Sequence, residues 1–281
     1  MCELNIDRVV PLRDGAQIPQ LGFGVYELTD AQECNTAIQT ALDAGYRHFD
    51  TATAYGNEGL LGSVFADSDI PREELFLTTK CWISDFGKAE TRAALEKSLG
   101  KLKTDYVDLY LLHWPKDETM MPAWEALIEL QAEGKIKSIG VSNFSVARFE
   151  NFFFKHTEVV PAINQIESHP LRAQADVQSY CEGKQIVLEA YSPLARANIF
   201  ENPTLKALAE ECGKTPAQVI LRWHLQQGRV VIPKSSNPSR IRENCDLYDF
   251  SLTADQLKRV DGLDENRSVS SWRPNDGIGW Y

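Results

Sequence analysis

Short apolar, β-branched runs alternate with amphipathic ones along most of the chain. The runs RHFD, LFLTTK, VDLYLLH, IKSIGVS, PAINQ, IVLEAYS and VVIPK, preceded by LGFGV, carry the strand pattern. Between them, stretches such as DAQECNTAIQTALDAG, KAETRAALEKSLGKL, AWEALIELQAEG and TPAQVILRWHLQQG repeat with the helical period. Asp30 is placed to cap the first of these, with Glu33 three residues on, and Gly45 and Gly134 stand where helices should end. Ahead of the first run, PLRDGAQIPQLG reads as a hairpin, because Asp14-Gly15 between short apolar runs is a strong turn signal. No Pro/Ser-rich linker divides the chain, so residues 1–281 are expected to form one domain.

Eight strand–helix units in 281 residues leave two architectures, a closed parallel barrel or a doubly wound sheet. The ends of the runs separate them. Most finish on a polar residue: Asp50, Lys80, His113, Asn143, Gln165 and Lys234, while LEAYS ends on Tyr191 and Ser192. The first gaps are 30, 33 and 30 residues. A (β/α)8 barrel of about 250 residues has one unit per ~31, and builds its active site from the C-terminal ends of its strands. A doubly wound sheet would gather ligands at one switch point rather than at nearly every strand. The expected fold is therefore a (β/α)8 TIM barrel with an N-terminal β-hairpin capping its bottom.

Composition narrows the function classes. Apolar residues make up 43% and charged ones 25%, enough for a large core and too apolar for a disordered chain. A formal charge of −11 argues against nucleic acid or an anionic membrane as partner. No apolar run approaches the ~20 residues of a membrane span, and the N-terminus lacks the layout of a signal peptide. The six cysteines (Cys2, Cys34, Cys81, Cys181, Cys212, Cys245) include no CxxC pair, which suits free thiols in the cytoplasm. His48, His156, His169 and His224 form no ligand spacing, so no metal is expected.

In a barrel, Asp50, Tyr55, Lys80 and His113 face one mouth. Tyr55 alone is a sluggish acid, with a phenol pKa of about 10. A nearby Lys80 ammonium is expected to lower that value, with Asp50 holding Lys80 charged and His113 adding a second donor to a substrate oxygen. Such a set protonates a carbonyl oxygen while hydride reaches its carbon. Each residue singly could be an ordinary strand-end side chain, and an Asp–Lys pair is often only a bridge. Four on adjacent strand ends at unit spacing favour a site.

Hydride needs a donor, and no GxGxxG follows a strand; the glycine pair of LGFGVYEL is a weak signal. The better phosphate site is IPKSSNPSRIREN, which gathers Lys234, Ser235 and Arg240 just after the last strand, with a helix N-terminus to add backbone donors. A guanidinium and an ammonium on a monoester phosphate would favour NADPH over NADH. Tyr26, Trp82 and Trp114 could wall a substrate pocket, or simply be core. The tail RSVSSWRPNDGIGWY could fold over the mouth as a lid, or fray.

The motifs GYRHFDTATAYGNE, LFLTTK, DYVDLYLLHWP, GKIKSIGVSNF, PAINQIESHPL, YSPLA and IPKSSNPSRIREN, in this order, resemble those of the aldo-keto reductase family over essentially the whole chain. The likeness is greatest to its short-looped microbial and protozoal members, the group containing 2,5-diketo-gluconate reductases and a prostaglandin F synthase. It implies that Asp50, Tyr55, Lys80 and His113 form the catalytic tetrad of an NADP-dependent oxidoreductase reducing aldehydes and ketones. By the same resemblance, Ser142, Asn143 and Gln165 hydrogen-bond the nicotinamide carboxamide and Tyr191 stacks on its ring. Ser192 and Leu194 touch the pyrophosphate, while Lys234, Ser235, Ser236 and Arg240 take the 2′-phosphate, and Glu243 and Asn244 the adenine. Many relatives carry Trp at the position of Tyr26. The expected protein is a cytoplasmic monomer acting on small-molecule carbonyl compounds.

Two other readings compete. Tyr180 and Lys184 fit the YxxxK pattern of short-chain dehydrogenases, but no glycine-rich dinucleotide turn lies near the N-terminus. The family resemblance also extends to potassium-channel β subunits, so a nucleotide-binding regulatory barrel is the alternative to an enzyme. An intact tetrad favours the enzyme.

Overall fold

The computed structural model describes residues 6–270. Two short antiparallel strands, β1 (Val9–Pro11) and β2 (Gln17–Pro19), come first, joined by a turn in which Gly15 adopts φ +93°. Eight parallel strands follow: β3 (Gly22–Gly24), β4 (His48–Asp50), β5 (Phe76–Cys81), β6 (Val107–Leu112), β7 (Ile136–Ser142), β8 (Ile163–Glu167), β9 (Val187–Tyr191) and β10 (Val230–Val231). Each pairs with its neighbours in chain order. The circle is closed by a parallel bridge between Leu21 and Val231, with the Val231 amide donating to the Gln20 carbonyl at 3.0 Å. The barrel read from the polar strand ends is the fold observed.

Helices α1 (Ala31–Asp43), α2 (Glu58–Ala66), α3 (Lys88–Leu102) and α4 (Asp117–Ala132) follow β3 to β6 on the outside. Asp30 caps α1 by accepting from the Glu33 amide at 2.9 Å, and Gly45 and Gly134 take the positive φ expected where helices end. After β7 the helical unit is broken: α5 (Val146–Arg148) and α6 (Phe154–His156) flank a π turn at Phe149–Phe153. The aromatic run FENFFFKH hides this unit from a period count, since inward and outward positions are apolar alike. Then come α7 (Ala175–Gly183), α8 (Pro203–Cys212), α9 (Pro216–Gln226), α10 (Pro238–Glu243) and α11 (Ala254–Asp261).

Burial on both faces explains why these strands are nearly continuous apolar runs; all six residues of β5 are buried. The main core lies between strands and helices. The bottom is plugged by Leu12 and Ile18 of the hairpin region, which join Phe76, Leu109, Leu111, Ile163 and Val230 in one cluster. Inside, side chains approach backbone closely. A Cβ on Gly22 would fall 2.4 Å from His48 Nδ1, so only glycine leaves room for that imidazole. Among the described residues no helix is long and apolar enough to cross a membrane, and the five cysteines are free thiols.

Candidate active site

The strand ends bring three of the four expected catalytic side chains to the mouth, and a short 3-10 turn after β4, Thr53–Tyr55, brings the fourth. Asp50 is the last residue of β4, Lys80 the last but one of β5, and His113 follows β6 directly. Lys80 is wholly buried and donates to both Asp50 oxygens, at 2.6 and 2.8 Å, and to the Thr51 carbonyl at 2.9 Å. An ammonium has three protons, so all are used. The Tyr55 ring is half-buried over this pair, its centroid 5.1 Å from Lys80 Nζ and 5.6 Å from the His113 ring, edge to face.

One expectation about this set is corrected. Asp50 does hold Lys80, but the Tyr55 pKa moves up rather than down, because an ammonium 5.1 Å from the ring, its protons already committed, does not outweigh burial. Burial pushes that pKa well above its usual value, with Asp50, Tyr26 and Glu189 adding to the rise. Tyr55 is a firmly protonated hydroxyl. His113 is held well below the usual imidazole range by burial and then by the Lys80 charge, so it is neutral at physiological pH. Its Nδ1 is buried and has no hydrogen-bond partner among the described residues.

The residues expected around the nicotinamide stand beside this set and are wired to it. Asn143, at φ +66°, donates to the His113 carbonyl at 3.0 Å and to Ser142 Oγ at 3.0 Å. Tyr191, at the end of β9, donates to Asn143 Oδ1 at 2.8 Å, and Ser142 Oγ donates to the Gln165 carbonyl at 2.8 Å. Gln165 Nε2 donates to Asp50 Oδ2 and to Glu189 Oε2, both at 2.8 Å. Ser192 has φ +48° and Leu194 is half-buried, in a loop that turns left-handed again at Ala195–Ala197.

Past β10, Lys234 and Arg240 are exposed and form no ion pair among the described residues, while Ser235 is buried and Ser236 half-buried. Glu243 accepts from Thr215 Oγ1 at 2.8 Å, and Asn244 is buried. The helix end expected to help here is already occupied. Asn237 Oδ1 accepts from the Ser239 and Arg240 amides at 2.9 and 3.2 Å, so an anion would be met by side chains. Two unpaired cations and two hydroxyls after the last strand suit a phosphate monoester. A half-buried Tyr191 edged by Ser142 and Asn143 suits a planar amide-bearing ring, so the residues present fit NADPH.

Of the three expected pocket aromatics, Tyr26 and Trp82 flank the tetrad. Tyr26 is 46% exposed with its ring 4.9 Å from that of Tyr55, and the Trp82 ring lies 5.0 Å from His113. Trp114 is buried in the core. The YxxxK pair is on an outer helix, where the Tyr180 hydroxyl donates to Glu150 and Lys184 sits 3.8 Å from the same carboxylate. His169 contacts Glu167, which also accepts from Ser268 Oγ and from the Val269 and Ser270 amides, pinning the first residues of the tail. The expected lid itself lies mostly outside the described residues. Sequence reading passed over Glu189, a carboxyl inside an apolar strand run; that anomaly was its only signal.

A barrel with this set at its mouth is one defined class of protein. The profile of the Aldo/keto reductase family matches residues 20–265. The chain is 47% identical to methylglyoxal reductase DkgA of Escherichia coli O157:H7, over 93% of this chain and 95% of that one. It is 43% identical to a glyoxal reductase of Bacillus subtilis, over 94% and 96% of the two chains. A Bombyx mori aldo-keto reductase solved in complex with NADP matches with a TM-score of 0.88 and 32% identity, over 95% of this chain and 96% of that one. The chain belongs to the Aldo/keto reductase family. It is an NADPH-dependent oxidoreductase that reduces carbonyl compounds to alcohols.

Proposed function

We propose that the protein reduces small aldehydes and α-dicarbonyl compounds, with Tyr55 as the proton donor. The observation that carries this is the placement of the Tyr55 ring between Lys80 and His113, at 5.1 and 5.6 Å, where the barrel opens. Relatives with the names methylglyoxal reductase and glyoxal reductase support the substrate class.

A carbonyl oxygen is received by the Tyr55 hydroxyl and the neutral His113 imidazole. NADPH, when bound, supplies hydride to the carbonyl carbon. As negative charge grows on the oxygen, the Tyr55 O–H bond breaks and its proton moves to that oxygen. A raised phenol pKa does not prevent this. An alkoxide is about as basic as hydroxide, whose conjugate acid has a pKa of about 15.7, so the transfer remains downhill. The phenolate left behind faces the Lys80 ammonium, which Asp50 fixes in place, and regains its proton from solvent at the half-exposed mouth. Tyr26 and Trp82 restrict water around the reacting atoms.

Lys234, Ser235, Ser236 and Arg240 would hold the 2′-phosphate, Ser142, Asn143, Gln165 and Tyr191 the nicotinamide, Ser192 and Leu194 the pyrophosphate, and Glu243 and Asn244 the adenine. Trp114 supports the pocket wall from behind. The protein acts as a cytoplasmic monomer: its five described cysteines are free thiols, and among the described residues only Val9, Tyr26 and Val159 are exposed large apolar side chains.

Tyr55→Phe tests the assignment. NADPH affinity, measured by fluorescence titration, should stay near wild type, while aldehyde-dependent loss of NADPH absorbance should fall by about 10³-fold. Undiminished turnover would remove Tyr55 from this role.

A further inference from the structure

Beneath the tetrad the barrel interior holds a second carboxyl that the reaction above does not use. Glu189 lies inside β9, wholly buried. Its Oε2 accepts from Gln165 Nε2 at 2.8 Å, and that nitrogen's other proton goes to Asp50 Oδ2, also at 2.8 Å. One amide therefore bridges two carboxyls from opposite sides of the barrel. Among the described residues Glu189 Oε1 has no hydrogen-bond partner; His48 Nε2 lies 3.5 Å from it, too long for a good hydrogen bond.

The groups that face Glu189 can be counted. From β4 come Asp50 and His48, the latter in contact with Thr78, from β5 Lys80, and from β8 Gln165, with the Tyr55 phenol above. Burial drives His48 down to about 3, so it is neutral. Lys80 is then the single cation for two carboxyls, and its protons are committed to Asp50 and Thr51. Two bare carboxylates sharing one amide in a dry interior are strongly disfavoured, so one of them keeps its proton. Asp50, held by Lys80, is the ionised partner.

We propose that Glu189 is a positioning residue for carbonyl reduction: an un-ionised carboxyl that, through Gln165, leaves the Asp50–Lys80–Tyr55 set with a balanced charge, and that slows reduction when it ionises. The inference rests on Tyr55 as donor. Burial and the nearby Asp50 charge push the Glu189 carboxyl up to about 8. It is neutral below that pH and negative above it. Its charge acts on Tyr55 in the direction that makes the phenol a weaker acid. It also opposes the negative charge that grows on the substrate oxygen. Both effects lower the reduction rate at alkaline pH. An amide at the same position could not ionise and would lack this limb.

The test is the pH profile of kcat at saturating NADPH and aldehyde, from about pH 6 to about pH 10, for wild type and Glu189→Gln. Wild type should lose roughly tenfold on a limb centred near pH 8, the size of a one-unit change in transition-state charge stabilisation. Glu189→Gln should match wild type at about pH 6.5 to within ~2-fold and hold that rate through the limb. An identical limb in the variant overturns the proposal, as does an equal loss at every pH in a variant that melts like wild type. Should Glu189→Gln not fold, infrared spectroscopy of the wild-type holoenzyme decides. An un-ionised carboxyl band at neutral pH that titrates away near pH 8 supports the proposal, and its absence overturns it. An inactive Tyr55→Phe beside an unchanged Glu189→Gln limb would sink this inference and leave the role of Tyr55 standing.

Discussion

The two ends of the barrel are built on opposite terms. At the bottom, Ile18 and Leu12 pack onto Phe76, Leu109, Leu111, Ile163 and Val230, and the buried Arg229 beside them spends its guanidinium on Gln178, Ser168 and the Ala173 carbonyl. At the mouth, Asp50, Lys80, His113, Gln165 and Glu189 are all buried, and among the described residues His113 Nδ1 and Glu189 Oε1 lack hydrogen-bond partners. The backbone differs in degree: Lys103 and Gln185 hold positive φ at the bottom, fewer than at the other end. Asn143, Ser192, Ala195, Arg196 and Ala197 hold positive φ on the loops of the mouth. Each such non-glycine residue costs of order 1 kcal/mol, which only surrounding structure can offset. An end that tolerates strain and unpaired polar atoms is one shaped for a ligand, while the other end supplies the stability that makes this tolerable.

Lys80→Met is the most severe way to sharpen this contrast. Removing the ammonium leaves the Asp50 carboxylate buried against the Gln165 amide alone. Breaking a buried pair by deleting one member costs about 3–5 kcal/mol, so the variant should melt well below wild type. Its kcat should also fall by about 10³-fold, because the phenolate formed at Tyr55 loses its facing charge. Denaturant melts and steady-state assays check both. A variant that kept wild-type kcat would mean that the mouth's charges serve structure only.

Ile18→Ala probes the other end. Ile18 is fully buried in the bottom plug, and truncating such a side chain costs about 2–5 kcal/mol through lost burial and the cavity left behind. Because Ile18 itself belongs to the hairpin at the far end of the strands from the tetrad, kcat at a temperature where the variant is folded should stay within about twofold of wild type. A large kcat loss with little change in melting would break the division of labour between the ends.

How far this division is legible in the chain depends on which contacts are local. Asp50, Lys80 and His113 announce themselves because each ends an apolar run at nearly constant spacing, and the parallel register brings each within two residues of level with the next, Asp50 beside Thr78 and Lys80 beside Leu111. The hairpin is legible for a similar reason, since Asp14-Gly15 carries its own turn chemistry. Contacts across the interior are not. Gln165 reaches Asp50 over a separation of 115 residues, and no period along one strand says which inward side chains meet once the sheet closes. For that reason the sequence does not reveal that Gln165 bridges two carboxyls, or that Glu189 sits under the catalytic pair. The balance of charge and burial is hidden likewise: Lys80 beside Tyr55 suggested a more acidic phenol, but burial of the phenol, which no local pattern reveals, outweighs it. The cap at Asn237 is a subtler case. The motif that suggested free amides at a helix start also contains the side chain that occupies them.

Arg240→Ala gives the smallest effect and the most selective one. Arg240 is exposed, without an ion-pair partner among the described residues, so its loss should leave melting unchanged. It stands with Lys234 in a chain of net charge −11, where an unpaired cluster of cations needs an anion to explain it. NADPH carries the 2′-phosphate and NADH does not, so the guanidinium can contribute only to the former. A charge-assisted hydrogen bond is worth about 1.5–3 kcal/mol, which corresponds to a roughly 10- to 100-fold rise in Kd for NADPH. The Kd for NADH should change by less than about twofold, and kcat at saturating NADPH should be preserved, because Tyr55, Lys80 and His113 are untouched. Fluorescence titration with both nucleotides reads this directly. Equal losses for the two would move the phosphate elsewhere, and would leave the bare cations past β10 as part of the surface rather than of the mouth.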